Sequence, residues 1–378
     1  MMKKLSYGLF LLLILILVFI FLSQEKQSTS IDLVQSKAPE LTKTIDALAE
    51  QGRIPKIKKE DVISEIAKND EQYGIFACIP DFLAWDGERL DNSINEFLNS
   101  TSTISNETTQ LIYSVFSSVN SSEERIERLN SAIESGAQHP IIALNFIKYC
   151  SDTDSELCNE EAIENAIQLD YHNGAIWLQS AIYFSKYNNE AKVIESLQKL
   201  LQANFFNERY GEQIVFYAEA LEAELGLSFN LGALGGLGHS ASQPVTFRYL
   251  TQWCKAKSKD VLVSDICISA SNDIRLRAKT AMTKMLGNSI QYEIFSSRGD
   301  KESMENSERQ MFNNYPKGLS KDIELMLFLD PQLAYQYFTM LDLIGEDSTQ
   351  SMIMKDSETL YTNFDSCSAV KAMSEFFL

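Results

Sequence analysis

The sequence predicts an all-α fold, and three observations support that prediction. From about residue 60 onward, nearly every segment carries apolar residues at helical spacing, as Leu90, Ile94 and Phe97 do. No segment of the body shows the sustained polar–apolar alternation that is typical of a half-buried β-strand. The chain also contains only 7 prolines among 378 residues, so few positions interrupt a helix. We therefore expect helical hairpins throughout the body.

The first predicted element is a transmembrane helix at residues 5–22. This run of 18 residues is uncharged, and at about 1.5 Å per residue such a helix spans about 27 Å, close to the hydrocarbon thickness of a bilayer. Lys3 and Lys4 precede the run and favour a cytoplasmic N-terminus. Residues 1–23 would then be the signal anchor of a single-pass membrane protein whose body lies outside the cytoplasm. A cleaved signal peptide is the alternative, and it predicts a secreted protein.

The net charge of the chain narrows the classes of molecule that it is expected to bind. The chain has 33 basic and 52 acidic residues, a formal net charge of -19, which disfavours nucleic-acid binding because phosphates require a surplus of cations. Such an acidic body would favour a basic region on a partner protein. Residues 24–59 are polar and are expected to form a tether between the membrane and the body. Helical subdomains are expected at residues 60–228 and 244–378.

An early helix of the body carries clear signals at both ends. Ser121 followed by Glu124 predicts a capping box, in which the first side chain accepts from the backbone of the second. Apolar residues at helical spacing follow, and Gly136 ends the helix.

A glycine-rich connector is predicted at residues 229–243, between the two subdomains. Its glycines are Gly232, Gly235, Gly236 and Gly238. A phosphate-binding loop would need a lysine that the segment lacks. A nucleophile elbow around Ser240 would need a second glycine and a preceding strand. A flexible connector is therefore the preferred interpretation.

Six cysteines suggest structural disulfides in an exported protein. Two pairs lie close in sequence, Cys150 with Cys158 and Cys254 with Cys267, and each flanks a polar turn between two helical patterns. A bridge there would staple a helical hairpin. Cys78 and Cys367 either pair with each other or remain thiols. Because the chain has no C-x-x-C spacing, a zinc or redox role for these cysteines is not favoured.

The hairpins at about residues 139–203 show a 34-residue self-similarity. In the second unit, positions 4, 8, 11, 24 and 28 are occupied by Trp177, Ala181, Phe184, Leu197 and Leu201. In the first unit, the same positions are occupied by Ala143, Ile147, Cys150, Ile163 and Ile167, with Ala166 as the small residue at position 27. This pattern resembles a degenerate tetratricopeptide-type repeat, departing from it at Val193, Leu200 and Phe205. The resemblance implies a stacked array of antiparallel helical hairpins. With its anchor and stapled repeats, the chain is also similar to uncharacterised envelope proteins of Gram-negative bacteria.

Repeat arrays leave an exposed surface that usually binds polypeptides. We therefore expect a non-catalytic interaction or scaffold protein that binds another protein of the cell envelope. Trp177 and Phe184 are interpreted as packing residues. The candidate contact residues are Tyr171, Tyr183, Tyr187, Asn188 and Asn189.

Two alternatives remain, a helical body that binds a small ligand or lipid and an enzyme that acts on peptidoglycan. Some lytic transglycosylases carry helical superhelices and a catalytic Glu-Ser pair, which Glu134 and Ser135 resemble, although the glycine-rich substrate motif of that family is missing. No metal or other cofactor is expected, because the 3 histidines do not form a zinc-binding motif.

Overall fold

The computed structural model describes residues 94, 96–98, 111–117, 119–313, 327 and 330–360. These residues form helices joined by turns and contain no β-strand, so the predicted all-α class is confirmed for them. Among the described helices, none combines the length and the apolar character needed to cross a bilayer. The predicted transmembrane helix, the tether, Cys78 and Cys367 lie outside the described residues.

A π-helical turn at Ile112–Phe116 comes before the α-helices of the described part. They are α1 (Ser122–Glu134), α2 (Pro140–Asp152), α3 (Glu160–Gln168), α4 (Gly174–Lys186), α5 (Glu190–Gln202), α6 (Tyr210–Leu225), α7 (Phe229–Ala241), α8 (Arg248–Ala256), α9 (Val261–Arg277), α10 (Ala281–Arg298), α11 (Lys301–Asn313), α12 (Pro331–Ile344) and α13 (Glu346–Leu360).

The predicted capping signals define α1. The Ser121 hydroxyl accepts a hydrogen bond from the backbone N–H of Glu124 at 3.2 Å, which satisfies a donor that the helix leaves unpaired. Gly136 follows the helix with a φ of 92°, a left-handed conformation that glycine adopts without steric cost. Local sequence therefore determined both ends of this helix.

A hydrogen bond from the backbone to the side chain two residues earlier recurs at intervals of 34 residues. His139 Nδ1 accepts from the N–H of Ile141 at 3.3 Å, and Asn173 Oδ1 accepts from the N–H of Ala175 at 3.0 Å. Asn207 Oδ1 accepts in the same way from the N–H of Arg209, at 2.8 Å. His139 and Asn173 are the N-caps of α2 and α4, whereas the N-cap of α6 is Arg209, which makes no side-chain capping bond.

Helices α4 and α5 form the best-packed hairpin of this region, and α4 also packs on α2. A turn of three residues joins α4 to α5, so the two helices run antiparallel. Trp177 and Phe184 are buried, as expected of packing residues. Leu197 is buried as the repeat pattern indicates, whereas Leu201 at position 28 is 38% exposed and the buried face of α5 ends with Leu200.

The segment predicted as a glycine-rich connector is instead helix α7, so that prediction is wrong. Helix α7 packs closely along α6, and three of its four glycines, Gly232, Gly235 and Gly236, lie at the contact. A Cβ atom at Gly232 would lie 2.7 Å from Cα of Ala218, and one at Gly236 would lie 3.2 Å from Cα of Ile214. The glycines therefore allow two backbones to approach, rather than loosening the chain.

One hydrophobic core cluster includes residues from both sides of α7. It extends from Leu98 to Ile294 and includes buried side chains of α2, α4, α9 and α10. A second cluster joins α6 and α7 to α12, where Ile214 and Ala233 are grouped with Phe338. Helix α7 is thus part of a continuous packed body.

Both predicted local disulfides are present. Cys150 of α2 is bonded to Cys158 before α3, with 5.4 Å between their Cα atoms. Cys254 of α8 is bonded to Cys267 of α9, with a Cα separation of 6.0 Å. Each bridge joins two successive segments of the helical body, as a hairpin staple would.

Candidate functional site

A cleft of about 180 Å³ opens between α3 and α5, and residues of α4 form its floor. It is lined by Glu164, Ile167, Gln168, Tyr171, Trp177, Ser180, Phe184, Lys192, Glu195, Ser196 and Lys199. The cleft therefore combines three helices and the turn that precedes α4.

The floor of the cleft is largely aromatic, and its polar groups have hydrogen-bond partners within the chain. Trp177 Nε1 donates to the backbone carbonyl of Tyr171 at 2.8 Å, and the two rings meet edge to face at 5.2 Å. The hydroxyls of Ser180 and Ser196 are hydrogen-bonded at 2.8 Å and join α4 to α5. Because both the Trp177 ring and the buried serines have partners, the floor offers an aromatic surface with little unmet polarity.

Lys192, on one side of the rim, is held by carboxylates. Its ammonium lies 3.0 Å from Glu160 and 3.7 Å from Glu195, and it also pairs with Glu164. The hydrogen bonds that Lys192 donates to Glu164 and Glu160 raise the pKa of Lys192 above its ordinary value. The Lys192 ammonium is therefore already paired with carboxylates of the same chain.

Lys199, about two turns further along α5, has a hydroxyl as its hydrogen-bond partner. Its ammonium donates to the Tyr171 hydroxyl at 2.9 Å and lies 5.5 Å from the centre of that ring. The bond to Tyr171 raises the pKa of Lys199, so the ammonium stays charged at neutral pH. An ammonium has three N–H groups, so Lys199 can donate to an incoming group without breaking its bond to Tyr171.

The predicted contact residues do not form one site. Tyr171 lines the cleft at the start of α4, whereas the other four residues lie at the end of that helix, about 20 Å away at 1.5 Å per residue. Tyr187 is 47% exposed, and its hydroxyl donates to Asp154 at 3.0 Å. Asn188 occupies the turn with a φ of 53°, and Asn189 caps α5.

The expectation that Tyr183 is exposed is wrong. Its side chain is 5% exposed, and its hydroxyl donates to the backbone carbonyl of Cys158. The ring fills the space between α4 and the loop that the Cys150–Cys158 bridge closes. Burial raises the pKa of Tyr183 to about 12, so the hydroxyl remains a donor at neutral pH.

Sequence reasoning missed the polar rim of the cleft. Lys192, Glu195 and Lys199 repeat at intervals of three and four residues along α5, which places them on one helix face. Glu160 and Glu164 do the same on α3. The spacing within each helix can be read from the sequence, but the packing of α3 opposite α5 cannot.

The residues considered for catalysis show no shared site. Glu134 is exposed at the end of α1 and accepts from Asn130 at 2.9 Å, while the Ser135 hydroxyl donates to the carbonyl of Ala132. Ser240 lies far along the chain in α7, where its hydroxyl accepts from Gln213 at 3.3 Å. No cluster of three His, Cys, Asp or Glu side chains that could hold a metal occurs among the described residues.

No protein-family model, curated protein or solved structure matches this chain.

Proposed function

We propose that this chain is a non-catalytic, membrane-anchored envelope protein that binds another polypeptide through the cleft between α3 and α5. In this proposal, residues 5–22 anchor the protein in the bacterial inner membrane and the body faces the periplasm. The single observation that carries the binding role is the combination of an aromatic floor with Lys199, whose ammonium retains donors for a partner. Interface centres typically combine an apolar pocket with a few polar groups at the rim.

The size of the cleft favours a polypeptide side chain over a larger ligand. Pockets for cofactors and drug-sized molecules usually have volumes of about 300–1,000 Å³. At about 180 Å³ the cleft is smaller than that range. It would receive one apolar side chain of the partner, while Lys199 donates to a neighbouring backbone carbonyl or carboxylate.

The side chains of residues 139, 173 and 207 each accept from the backbone two residues on, and this 34-residue recurrence supports a repeat architecture of the tetratricopeptide type. Repeats stacked in this way present extended surfaces that bind polypeptides. The candidate cleft lies between α3 and α5, which are the second helices of the two proposed repeat units. The cleft therefore depends on how these two units stack. Repeat architecture and binding site are therefore parts of the same proposal.

Site-specific photo-crosslinking in the native host tests the proposal. A photoreactive amino acid replaces Gln168, which is exposed at the cleft, in the full-length protein. The matched control carries it at Gln252, an exposed glutamine of α8. We expect a defined crosslinked protein from position 168 and none from position 252, identified by mass spectrometry.

A charge reversal then tests the role of the rim. Lys199→Glu should reduce the yield of that crosslink at least tenfold, whereas Lys257→Glu, which removes an ion pair with Glu190, should leave it unchanged. Thermal melting verifies that both variants are folded. Equal crosslinking from positions 168 and 252, or an unchanged yield in Lys199→Glu, would contradict the proposed site.

A further inference from the structure

A polar cluster lies on the side of the body where α2, α6 and α7 meet. Asn145 of α2 donates to the side chain of Gln213 at 3.2 Å, and Gln213 donates to Ser240 of α7 at 3.3 Å. One turn further along α2, Lys148 donates to Gln243, just after α7, at 3.2 Å. The connections run through side chains that lie 27 to 95 residues apart in sequence.

Several buried polar atoms in this cluster have no hydrogen-bond partner among the described residues. Buried side-chain atoms without a hydrogen-bond partner in the described part of the chain include Arg125 Nε, Asn145 Oδ1, His239 Nε2 and Gln243 Nε2. A buried polar atom without a hydrogen-bond partner is rare in native proteins and destabilises the fold. Four such atoms in one region indicate a group that the described part of the chain does not supply.

Lys148 is the charge at the centre of the cluster. Lys148 is half-buried, and the hydrogen-bond partner of its ammonium is the neutral amide of Gln243 rather than a carboxylate. Burying an ammonium against a neutral group is unfavourable, and burial accordingly lowers the pKa of Lys148 to about 8. Two of its three N–H groups, together with Gln243 Nε2, remain as adjacent donors.

The other charged groups nearby do not neutralise this lysine. The Arg125 guanidinium donates to the backbone carbonyls of Ser114 and Ser117. His239 packs against the ring of Phe116, and burial together with the charges of Arg125 and Lys148 lowers its pKa to about 3, so it is neutral at pH 7. Glu208 acts on Lys148 only through its longer-range charge.

We infer that Lys148 and Gln243 form a binding site for a small oxyanion, the carboxylate or phosphate group of a low-molecular-weight ligand. One oxygen would accept from the Lys148 ammonium and another from Gln243 Nε2. Such charge-assisted hydrogen bonds are about twice as strong as neutral ones and supply the countercharge that the cluster lacks. The site is separate from the cleft between α3 and α5, and its test does not depend on a protein partner.

Thermal melting of the full-length protein in mild detergent tests the inference. Sodium phosphate and sodium acetate are titrated separately against sodium chloride at equal ionic strength. We expect one of them to raise the melting temperature in a saturable way, by about 4 °C at a hundredfold excess over its Kd. A response to phosphate alone identifies a phosphate-type ligand, and a response to acetate alone identifies a carboxylate.

Lys148→Met separates a binding role from a structural one. Because it replaces an uncompensated ammonium by an apolar chain of similar length, the variant should melt at a higher temperature than the wild type in chloride and lose the anion response. Lys186→Met, which removes a half-buried lysine paired with Asp154, should keep the response. Gln243→Leu provides a second variant, and it too should lose the response. An equal response in the wild type and both cluster variants, or no response to either anion, would overturn the inference.

Discussion

At the scale of single residues, the buried ion pair between Asp170 and Arg209 links α3 to the start of α6. Arg209 donates from Nη2 to one carboxylate oxygen at 2.8 Å and from Nε to the other at 2.9 Å. Asn173 donates to the same carboxylate at 2.7 Å and also to the backbone carbonyl of Asn207. With 5% of the Asp170 side chain exposed, solvent cannot replace these contacts.

Asp170→Asn should therefore lower the free energy of unfolding by about 1–3 kcal/mol, because an amide NH₂ would face the guanidinium, which would keep only its ion pair with the more exposed Glu212. Urea denaturation measures the loss. The matched control is Glu293→Gln, which removes a more exposed ion pair with Lys255 and should cost less than about 1 kcal/mol. Similar losses in the two variants would show that burial does not set the strength of the Asp170 pair.

At the scale of helices, two glycines of α7 should respond in opposite directions to the same substitution. A Cβ atom at Gly232 would meet the backbone of Ala218 at 2.7 Å, so Gly232→Ala must push α6 and α7 apart and should cost about 1–3 kcal/mol. A Cβ atom at Gly238 would meet nothing within 4 Å. Because alanine is the better helix former, Gly238→Ala should leave stability unchanged or raise it by up to about 1 kcal/mol. Urea unfolding of both variants checks the contrast, and equal destabilisation would show that the α6–α7 contact is not tight.

The same helix shows where sequence reasoning succeeds and where it stops. The caps of α1 and both disulfides depend on residues close in sequence, and the sequence predicted them correctly. Glycines in α7 were interpreted as a flexible connector because glycine is a poor helix former. The role of these glycines depends on the backbone of α6, which packs against α7. The amino-acid composition of α7 alone does not show that α6 packs there.

The candidate site follows the same rule. Tyr171 and Tyr183 were both predicted to be exposed contact residues. Tyr171 lines the cleft, whereas Tyr183 is buried against the loop that the Cys150–Cys158 bridge closes. The lysines and glutamates of the rim show a helical period, but only the packing of α3 beside α5 makes them a site. Whether a side chain is exposed, and which side chains come together, depends on tertiary packing. A pattern within one helix therefore could not predict either property.

At the scale of the whole molecule, α12 and α13 are joined to the rest of the body by acidic side chains at helix N-termini. Asp342 of α12 accepts from the backbone N–H groups of Gly211 and Glu212, at the start of α6. Glu346 of α13 accepts from the N–H of Ala281 at 2.7 Å, at the start of α10. Carboxylates are favourable at helix N-termini, but burial here opposes their ionisation.

This arrangement should give the protein a measurable pH dependence. Burial raises the pKa of Asp342 from its ordinary 3.8 to about 6, and the charges of Glu212 and Glu208 act in the same direction against the hydrogen bonds from α6. Because the pKa in the folded protein lies above the unfolded value, the folded state binds this proton more tightly between pH 4 and 6. The contribution of Asp342 to stability is therefore full below about pH 4 and is lost as the pH rises through about 6.

Asp342→Asn, whose amide resembles the protonated acid, removes this dependence. Relative to the wild type, the variant should gain up to about 3 kcal/mol in unfolding free energy between pH 4 and 7, as measured by urea denaturation at each pH. Asp154→Asn is the control of opposite sign, because hydrogen bonds from Lys186 and Tyr187 lower the pKa of Asp154. That variant should be less stable than the wild type at neutral pH, and the difference should shrink as the pH falls. Parallel pH profiles for the wild type and Asp342→Asn would show that Asp342 ionises as readily in the folded protein as in the unfolded chain.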